Sequence, residues 1–392
     1  MSLTLIRTLR EGGLRDFLGS MYQFGVWRLA ETETVQGPII DRCVDEDHLS
    51  RISNQSIRYG SPDQIHINEP ICTHRLSDFS DLTGTYKLPE PSVYEVDNMI
   101  LVGPHALTLN ENREYIVANA SNRMMGLSIA VLETAVSKLP KRSYQEGQSI
   151  GSAVSLVGPF VRNYFHWFVD YLPRLSGIEA YERVIDEKPT VIYPKDPPSW
   201  LFDSLSLLIE EDRLLEWDEN KRRVESLVVP SVRRGTAGSS NQIFSTDALE
   251  WVRNEVVNEI QQNIEGPNRI YISRNDARER RVQNESAVVG LLTEYDFQPF
   301  TLSELSFREQ VKLFYGADCI VSPHGSGLTN MLWTEDSKII ELFGDLVPQM
   351  YFTMANQLGH EYAAVFGEQT GPDIRIDLPE LRDTVECVLS AE

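Results

Sequence analysis

Polar residues whose types suit the binding of an anion follow apolar stretches in the second half of the sequence. They are Ser273 with Arg274, the run His324-Gly325-Ser326-Gly327, and Glu341. A glycine-rich turn that opens a helix aims backbone N–H groups at an anion, and the helix dipole favours negative charge there. An arginine adds a planar fork of donors that matches phosphate oxygens.

Each of these features also has an ordinary structural interpretation. Glycine-rich turns often serve only the backbone, and arginines often form surface ion pairs. Their combination at predicted strand ends, where open α/β sheets bind ligands, favours a nucleoside diphosphate site. In this hypothesis Ser273, Arg274 and the amides after His324 stabilise the charge that grows on a leaving diphosphate. Glu341 would accept hydrogen bonds from ribose hydroxyls.

A second polar group lies in the first half, in the run Asn163-Tyr164-Phe165-His166-Trp167-Phe168-Val169-Asp170. On a helix, Asn163, His166 and Asp170 share one face, which is typical of a cleft. His166 or Asp170 could there remove a proton from an acceptor hydroxyl. In the structural interpretation, Asp170 instead pairs with Arg174 and His166 is a half-buried histidine. Of the two bases we favour Asp170, which is ionised at neutral pH; the alternative is His166 as base, oriented by Asp170.

The elements that must position these residues alternate between strand and helix in two consecutive series. Strands are predicted at 153–157, 190–193 and 226–229, and then at 269–273, 319–322 and 338–343. Helices are predicted near 163, at 201–209, 247–263 and 284–294, and from Leu328. Ser306 and Glu309 form a capping box before another helix. This alternation predicts an α/β fold of two doubly wound units.

We expect four segments along the chain. They are an N-terminal amphipathic segment at 1–36, an α/β domain at 37–232, a second α/β domain at 233–365 and a tail at 366–392. The polar, glycine-containing stretch 233–240 is the predicted connection between the domains. Residues 3–30 place apolar side chains at helical spacing among arginines, and packing on the protein's own core is favoured there over contact with an anionic membrane surface.

The composition excludes several classes of function. A net charge of −22 over 392 residues disfavours nucleic-acid binding. The four cysteines, Cys43, Cys72, Cys319 and Cys387, are scattered without a Cys-x-x-Cys pair. This predicts buried free thiols in a reducing compartment, and neither a zinc site nor a disulfide framework. No apolar run is long enough to predict a transmembrane helix.

A metal-dependent transferase would use an Asp-x-Asp motif after a strand, to hold a divalent cation on the diphosphate. Asp45-Glu46-Asp47 has the right letters. It lies in a polar stretch without strand signals, in a chain so acidic that chance matches are expected. We therefore expect no metal site there.

Together these motifs resemble glycosyltransferase family 61. The first signature is Asn163-Tyr164-x-His166-Trp167-x-x-Asp170-x-Leu172-Pro173-Arg174-Leu175. The second is Arg269-x-Tyr271-Ile272-Ser273-Arg274, with Arg281-x-x-Asn284-Glu285, Glu309-Gln310-Val311, His324-Gly325-Ser326-Gly327-Leu328-Thr329-Asn330 and Ile340-Glu341-Leu342. The resemblance covers about 95–365. Ser326 stands where the family usually has Ala, and the first 90 residues carry no family signal.

The resemblance implies a GT-B fold, with two Rossmann-like domains facing a cleft. It implies an inverting, metal-independent transferase that uses a nucleotide sugar, for which we expect a UDP-sugar, and no further cofactor. The acceptor would be a glycan, a lipid-linked glycan or a protein hydroxyl, in surface polysaccharide or glycoconjugate synthesis in the cytoplasm, with possible contact to the inner membrane face. By resemblance, Asn284 and Asn330 join the donor site, and Asn163 and Trp167 the acceptor side. The alternative is a noncatalytic sugar- or nucleotide-binding subunit of a polysaccharide assembly complex on the same fold.

Overall fold

The computed structural model describes residues 22, 25–116, 123–137, 144–237, 240–260 and 266–390. Of the predicted amphipathic segment 1–36, residues 1–21, 23 and 24 therefore lie outside the described residues. Residues 25–30 are helical. The chain forms two compact units. The first unit comprises residues 1–60, 91–198 and 209–232, and the second comprises 61–90, 199–208 and 233–392. Each unit is thus built from separate stretches of chain, and the predicted domain boundaries remain predictions.

The strands are numbered in chain order over the described residues. They are β1 (Cys43–Val44), β2 (Gln55–Arg58), β3 (Asp63–Ile67), β4 (Gly84–Leu88), β5 (Ser92–Val102), β6 (Leu107–Leu109), β7 (Tyr115–Ile116), β8 (Ile150–Ser155), β9 (Thr190–Tyr193), β10 (Leu214–Glu216), β11 (Lys221–Pro230), β12 (Arg234–Ala237), β13 (Ser240–Phe244), β14 (Arg269–Ser273), β15 (Gln298–Thr301), β16 (Cys319–Pro323), β17 (Lys338–Phe343), β18 (Glu361–Thr370) and β19 (Asp373–Ile376). All six predicted strands of the two series are confirmed, with small changes at their ends.

The α-helices are numbered in the same way. They are α1 (Glu33–Ile40), α2 (Glu46–Ile52), α3 (Arg123–Ser137), α4 (Tyr164–His166), α5 (Leu175–Ile185), α6 (Ser199–Leu208), α7 (Thr246–Ile260), α8 (Glu285–Thr293), α9 (Phe307–Tyr315), α10 (Met350–Gln357) and α11 (Leu378–Ser390). Short 3-10 turns occur at Leu76–Asp78, Ser80–Leu82, Leu172–Arg174, Glu211–Arg213 and Leu302–Glu304, and a longer 3-10 helix at Ser326–Trp333. The capping box of Ser306 and Glu309 at the start of α9 is confirmed.

The first unit has a mixed sheet. Within its described residues the strand order is β1-β7-β6-β5-β11-β8-β9-β10, and β2 also pairs with β5. The pairs β11–β8, β8–β9 and β9–β10 are parallel. The pairs β11–β5, β5–β6 and β6–β7 are antiparallel. The predicted α/β class is confirmed, but the expectation of a doubly wound first unit is correct only for its parallel half.

The second unit has a largely parallel sheet in the order β15-β14-β16-β17-β18-β19, in which only β19 is antiparallel. In chain order the parallel strands run 2-1-3-4-5, so the direction of winding changes between β14 and β16. All five residues of β16 are buried, as expected for a strand covered on both faces. Ligands of such sheets bind where the winding reverses, at the carboxyl ends of those two strands.

Three local predictions need correction. The predicted connection at 233–240 includes β12 and the start of β13, which pair as a hairpin. Its first glycine, Gly235, serves close packing, because a Cβ there would clash with the Leu88 side chain. The helix expected from Leu328 is the 3-10 helix that begins at Ser326. Only Cys319 of the four free cysteines is fully buried.

Asp45-Glu46-Asp47 has a structural explanation. Asp45 is the N-cap of α2, and its side chain accepts a hydrogen bond from the His48 amide at 2.8 Å. The acidic residues that follow lie in the first turn, where the helix dipole favours them. In the described residues, no three His, Cys, Asp or Glu side chains are gathered to hold a metal ion. None of the described helices has the length and apolar character needed to span a bilayer.

Candidate functional site

Arg274 and His324 each follow a strand at the winding reversal of the second unit, after β14 and β16. Gly325 lies directly against the Arg274 guanidinium, since a Cβ at this position would clash with Nη1 and lie 2.6 Å from Cζ. The φ of Gly325 is 169°, which is ordinary extended backbone. Glycine is therefore required here for space and not for conformation. The two residues predicted to bind a diphosphate are brought together.

The His324 ring is fixed from several sides. Its Nδ1 lies 2.5 Å from Oε1 of Glu341, which stands in the neighbouring strand β17. The ring stacks on Phe343, with centroids 5.8 Å apart and an interplanar angle of 24°, and contacts Tyr351 at 5.3 Å. Because Nδ1 is bonded to Glu341, Nε2 is the ring nitrogen left for a ligand.

Glu341 positions His324, and this differs from the predicted contact with ribose. Glu341 is 0% exposed, and its second oxygen, Oε2, accepts a hydrogen bond from the Tyr362 hydroxyl at 2.6 Å. Burial, followed by the nearby Glu341 charge, raises the pKa of Tyr362 well above its usual value, so this hydroxyl stays a donor. Glu341 is thus enclosed by the protein and bonded through both oxygens, so the structure supports an orienting role, and a contact with ribose remains a prediction.

Arg274 is half-buried, and its guanidinium is only partly satisfied. Nη2 donates to the carbonyl of Glu279 at 3.2 Å, while the buried Nε has no hydrogen-bond partner among the described residues. Burial, followed by the neighbouring Arg280 charge, lowers the pKa of Arg274. Arg280 itself adopts a left-handed φ of 61°, an uncommon conformation for a residue with a side chain. Two guanidinium groups with an unsatisfied donor form an environment that favours an anion.

Ser273 has a structural role at the end of β14. Its hydroxyl donates to Oε1 of Glu285 at 2.9 Å and accepts from the Asn275 amide at 3.2 Å. The Tyr271 hydroxyl donates to the same Glu285 oxygen at 2.8 Å. This network orders the turn that carries Arg274, and Ser273 acts on the candidate site through that turn.

Two predicted asparagines are committed elsewhere. The Asn284 amide pairs with the backbone of Ile376 through bonds of 2.8 and 3.0 Å, and so fastens α8 to β19. The Asn330 amide accepts from Trp333 Nε1 at 2.8 Å and donates to the Gly327 carbonyl at 3.1 Å inside the 3-10 helix. These bonds give both amides a structural role, and their membership in the donor site remains a prediction.

Ser326 and Gly327 are half-buried at the start of the 3-10 helix that follows His324. A Cβ at Gly327 would lie 2.9 Å from a methyl group of Leu302. The glycine therefore allows this turn to pack closely on the 3-10 turn Leu302–Glu304, which precedes α9. The Leu328 amide donates to the Gly325 carbonyl at 2.9 Å, whereas the Ser326 and Gly327 amides precede this first turn, where the start of a helix favours an anion.

The first unit carries the other predicted group on a helix of changing pitch. Asn163 caps α4 by accepting a bond from the His166 amide at 3.3 Å. Residues Trp167–Tyr171 then form a π-helical turn, and Leu172–Arg174 a 3-10 turn that contains Pro173. π-Helical turns are rare and are frequently found at functional sites.

His166 and Asp170 form a directed pair. Nδ1 of His166 lies 2.6 Å from Oδ2 of Asp170, and the side chains are 20% and 0% exposed respectively. The histidine is therefore the accessible member and the aspartate its buried partner. Arg174 is also buried, and its Nε donates to the backbone carbonyl of Asp170 at 2.9 Å. The structure therefore contains a contact expected under each interpretation. The Asp170 side chain meets His166, and the Asp170 backbone carbonyl accepts from Arg174.

Trp167 differs from the predicted acceptor-side role. It is 0% exposed, and its ring stacks on Tyr171 with centroids 6.4 Å apart. A side chain so placed supports the helix from inside and does not meet an acceptor. The acceptor-side role was implied by the family resemblance, which names motif residues but does not show which of them packing covers.

Sequence reasoning also missed residues that complete the candidate donor site. Tyr351, Tyr362 and Arg280 belong to no recognisable motif, and Glu285 was noted without a role. Tyr351 is buried beside His324, and its pKa is raised mainly by burial. No pattern in the sequence could have joined Tyr362 to Glu341, since this contact depends on the pairing of β17 with β18.

Comparison with known proteins finds a matching family. Residues 164–340 match the family described as Glycosyltransferase 61. The matched segment includes the His166–Asp170 pair and the Arg274–His324 pair, as well as most of the predicted signatures. No curated protein matches the chain significantly. The resemblance predicted from the motifs is confirmed by the family match.

Proposed function

We propose that this chain, whose residues 164–340 are a glycosyltransferase family 61 segment, moves a sugar from a nucleoside diphosphate donor to a hydroxyl group with inversion at the anomeric carbon. The donor is a UDP-sugar and the acceptor a glycan, a lipid-linked glycan or a protein. The transfer needs no metal ion, and the GT-B arrangement is part of the same proposal. The observation that carries it is the contact of Arg274 with the His324–Gly325 turn at the winding reversal of the parallel sheet.

In the donor half of the reaction, Arg274 and His324 Nε2 contact the diphosphate. Bond breaking between the anomeric carbon and the phosphate oxygen leaves negative charge on the diphosphate. Hydrogen-bond donors that are fixed in place before the reaction stabilise that charge most effectively, because they need not reorganise as it develops. Glu341 supports this role, because its carboxylate holds Nδ1 and so fixes the direction in which Nε2 points.

In the acceptor half, His166 is the general base. Its Nε2 takes the proton of the acceptor hydroxyl while the oxygen forms a bond to the anomeric carbon, opposite the departing diphosphate. Asp170 orients the ring through Nδ1 and stabilises the imidazolium that forms. We favour His166 over Asp170 as the base because the Asp170 side chain is 0% exposed whereas that of His166 is 20% exposed.

The compartment and pathway belong to the same proposal. Free thiols at all four cysteines are consistent with a reducing compartment, which supports a cytoplasmic location. The product would be a surface polysaccharide or glycoconjugate. Contact of residues 1–30 with the inner membrane face is a further part of the proposal that awaits a vesicle-binding measurement.

The test is the release of nucleoside diphosphate from a panel of nucleotide sugars, with and without acceptors, in the presence of a chelator. A transferase releases nucleotide from one donor, and an acceptor increases the rate. Arg274→Gln should remove UDP-induced thermal stabilisation, which follows from ligand binding by mass action. The exposed neighbour Arg278 offers a matched control, since Arg278→Gln should retain it. A protein that binds a donor but releases nothing with any acceptor would instead be a noncatalytic binding subunit.

A further inference from the structure

A row of aromatic rings extends from His166 to the surface of the first unit. The Phe160 ring stacks on the His166 ring, with centroids 5.0 Å apart and an interplanar angle of 27°. Trp27 then meets Phe160 at 5.8 Å in an edge-on arrangement of 76°. The indole at the end of the row is 45% exposed. The exposed indole is thus connected through Phe160 to the partly exposed ring of the candidate base.

The row is held in place from beneath. Val26 and Ala30 flank Trp27 in the helical stretch 25–30, and both are buried with Ile129 of α3 in one apolar cluster. Phe160 packs against the same cluster. This packing fixes the helix by its buried face and leaves Trp27 accessible on another face. A single exposed hydrophobic residue is common on protein surfaces, but one that is joined through a ring to the candidate base is a functional candidate.

We propose that Trp27 and Phe160 form a stacking platform for a sugar ring of the acceptor, beside His166. This inference rests on the proposed transferase function and names its acceptor class: a carbohydrate of at least two sugar units. One sugar presents its hydroxyl to His166, and the next lies on Trp27. A pyranose ring has an apolar C–H face with hydroxyls around its edge, so it can bury the face on an aromatic ring while its hydroxyls remain solvated.

A serine or threonine side chain has no ring to stack and would leave Trp27 unused. An anionic bilayer is also disfavoured as the partner of Trp27 itself, so the membrane contact proposed for residues 1–30 would involve other residues of that segment. The residues that follow the helix include Glu31 and Glu33, and the chain carries a net charge of −22. Charge of this sign opposes approach to anionic lipids.

The experiment measures nucleotide release by the full-length protein with its identified donor. Acceptors are methyl glycosides of mono- and disaccharides, compared with threonine peptides that lack aromatic residues. We expect disaccharide glycosides to give the lowest acceptor KM. Trp27→Ala should raise this KM about 10-fold, and Trp27→Phe should restore most of the loss because the stacking face returns. Donor KM and slow release to water should not change in either variant.

Leu29→Ala is the matched control, because Leu29 is 53% exposed in the same helical stretch. It should leave the acceptor KM unaltered. Circular dichroism melting establishes that each variant is folded. An unchanged acceptor KM in Trp27→Ala overturns the inference while the transferase function stands. Faster transfer to the peptides than to the disaccharide glycosides also overturns it. The same holds if Trp27→Ala loses only its binding to phosphatidylglycerol vesicles and keeps its acceptor KM. Absence of release from every donor would overturn the transferase proposal itself, which is a separate result.

Discussion

At the scale of single residues, the candidate sites consist of charged groups that are oriented by buried partners. Glu341 orients His324, and Asp170 orients His166. In each pair the carboxylate is fully buried and the histidine is the more accessible member. The four residues could be singled out from the sequence, but the orienting role of Glu341 could not, because burial is a property of the packed chain.

The first prediction concerns the base. His166→Ala should lower kcat by about 10²- to 10⁴-fold, the usual contribution of a positioned base, while UDP affinity is unchanged. Asp170→Asn should also lower kcat, because the ring loses its orienting carboxylate. His48, which lies on α2, provides a control: His48→Ala should retain full activity. Steady-state kinetics with a UDP-binding titration would check this, and a full loss in Asp170→Asn with an active His166→Ala would make Asp170 the base.

The second prediction concerns the donor-side histidine. Glu341→Gln should weaken UDP binding about 10-fold, since the variant loses the charged hydrogen bond that orients the His324 ring. Tyr362→Phe removes only the hydrogen bond to the other carboxylate oxygen and should keep UDP affinity. Calorimetric titration distinguishes the two variants. Equal weakening in both would mean that Glu341 acts through general stability and not through His324.

At the scale of elements, strand identity was predictable and helix type was not. The segment 319–323 is a continuous buried run, and such runs predict strands well. The 3-10 helix after His324 and the π-helical turn at 167–171 were missed. The spacing of apolar residues does not distinguish these helix types from an α-helix. Their pitch depends on local contacts: Gly327 packs closely on Leu302 in the 3-10 helix, and Pro173 follows the π-helical turn.

The third prediction tests the turn that joins β16 to its 3-10 helix. Gly325→Ala should displace the Arg274 guanidinium, because the new methyl group occupies its position. We expect loss of UDP-induced thermal stabilisation in a folded protein. Gly290 in α8 provides a contrast, since a Cβ there meets nothing within 4 Å. Gly290→Ala should keep UDP binding and stabilise the fold by about 1 kcal/mol, as alanine favours a helix. Retained UDP stabilisation in Gly325→Ala would contradict the proposed contact.

At the scale of the whole molecule, the α/β class followed from the alternation of strands and helices. The antiparallel half of the first sheet did not, because pairing between β5 and β11 joins residues more than a hundred positions apart. The membership of 61–90 in the second unit was likewise invisible in the sequence. Local patterns specify elements, whereas partners far along the chain are chosen by packing.

The fourth prediction concerns stability and pH. Burial lowers the pKa of His360 to about 4, and its ring bonds to the Met331 carbonyl at 2.9 Å. The unfolded chain binds more protons than the folded one between the usual histidine pKa and about 4, so stability falls as the pH drops through this window. The loss is on the order of 3 kcal/mol. Urea unfolding of His360→Asn at pH 7.5 and 4.5 should show a smaller pH dependence than the unaltered protein.

The exposed His74 supplies the control for that measurement. His74→Asn should keep the pH dependence of the unaltered protein, since its ring is solvated in both states. A His360→Asn variant with the original dependence would show that other groups account for the acid sensitivity of the fold.

The interleaved order of the two units also bears on how the chain is synthesised. Ile71 donates its amide to the Tyr362 carbonyl, and Cys72 accepts from the Ala364 amide, so an early segment completes an edge of a late strand. Translation delivers this segment to the solvent long before β18 exists. In the nascent chain β3 and β4 can pair with each other, but the backbone of Ile71 and Cys72 lacks its partner until β18 is made. A truncated product that ends before β18 would leave this backbone exposed to aggregation and proteolysis.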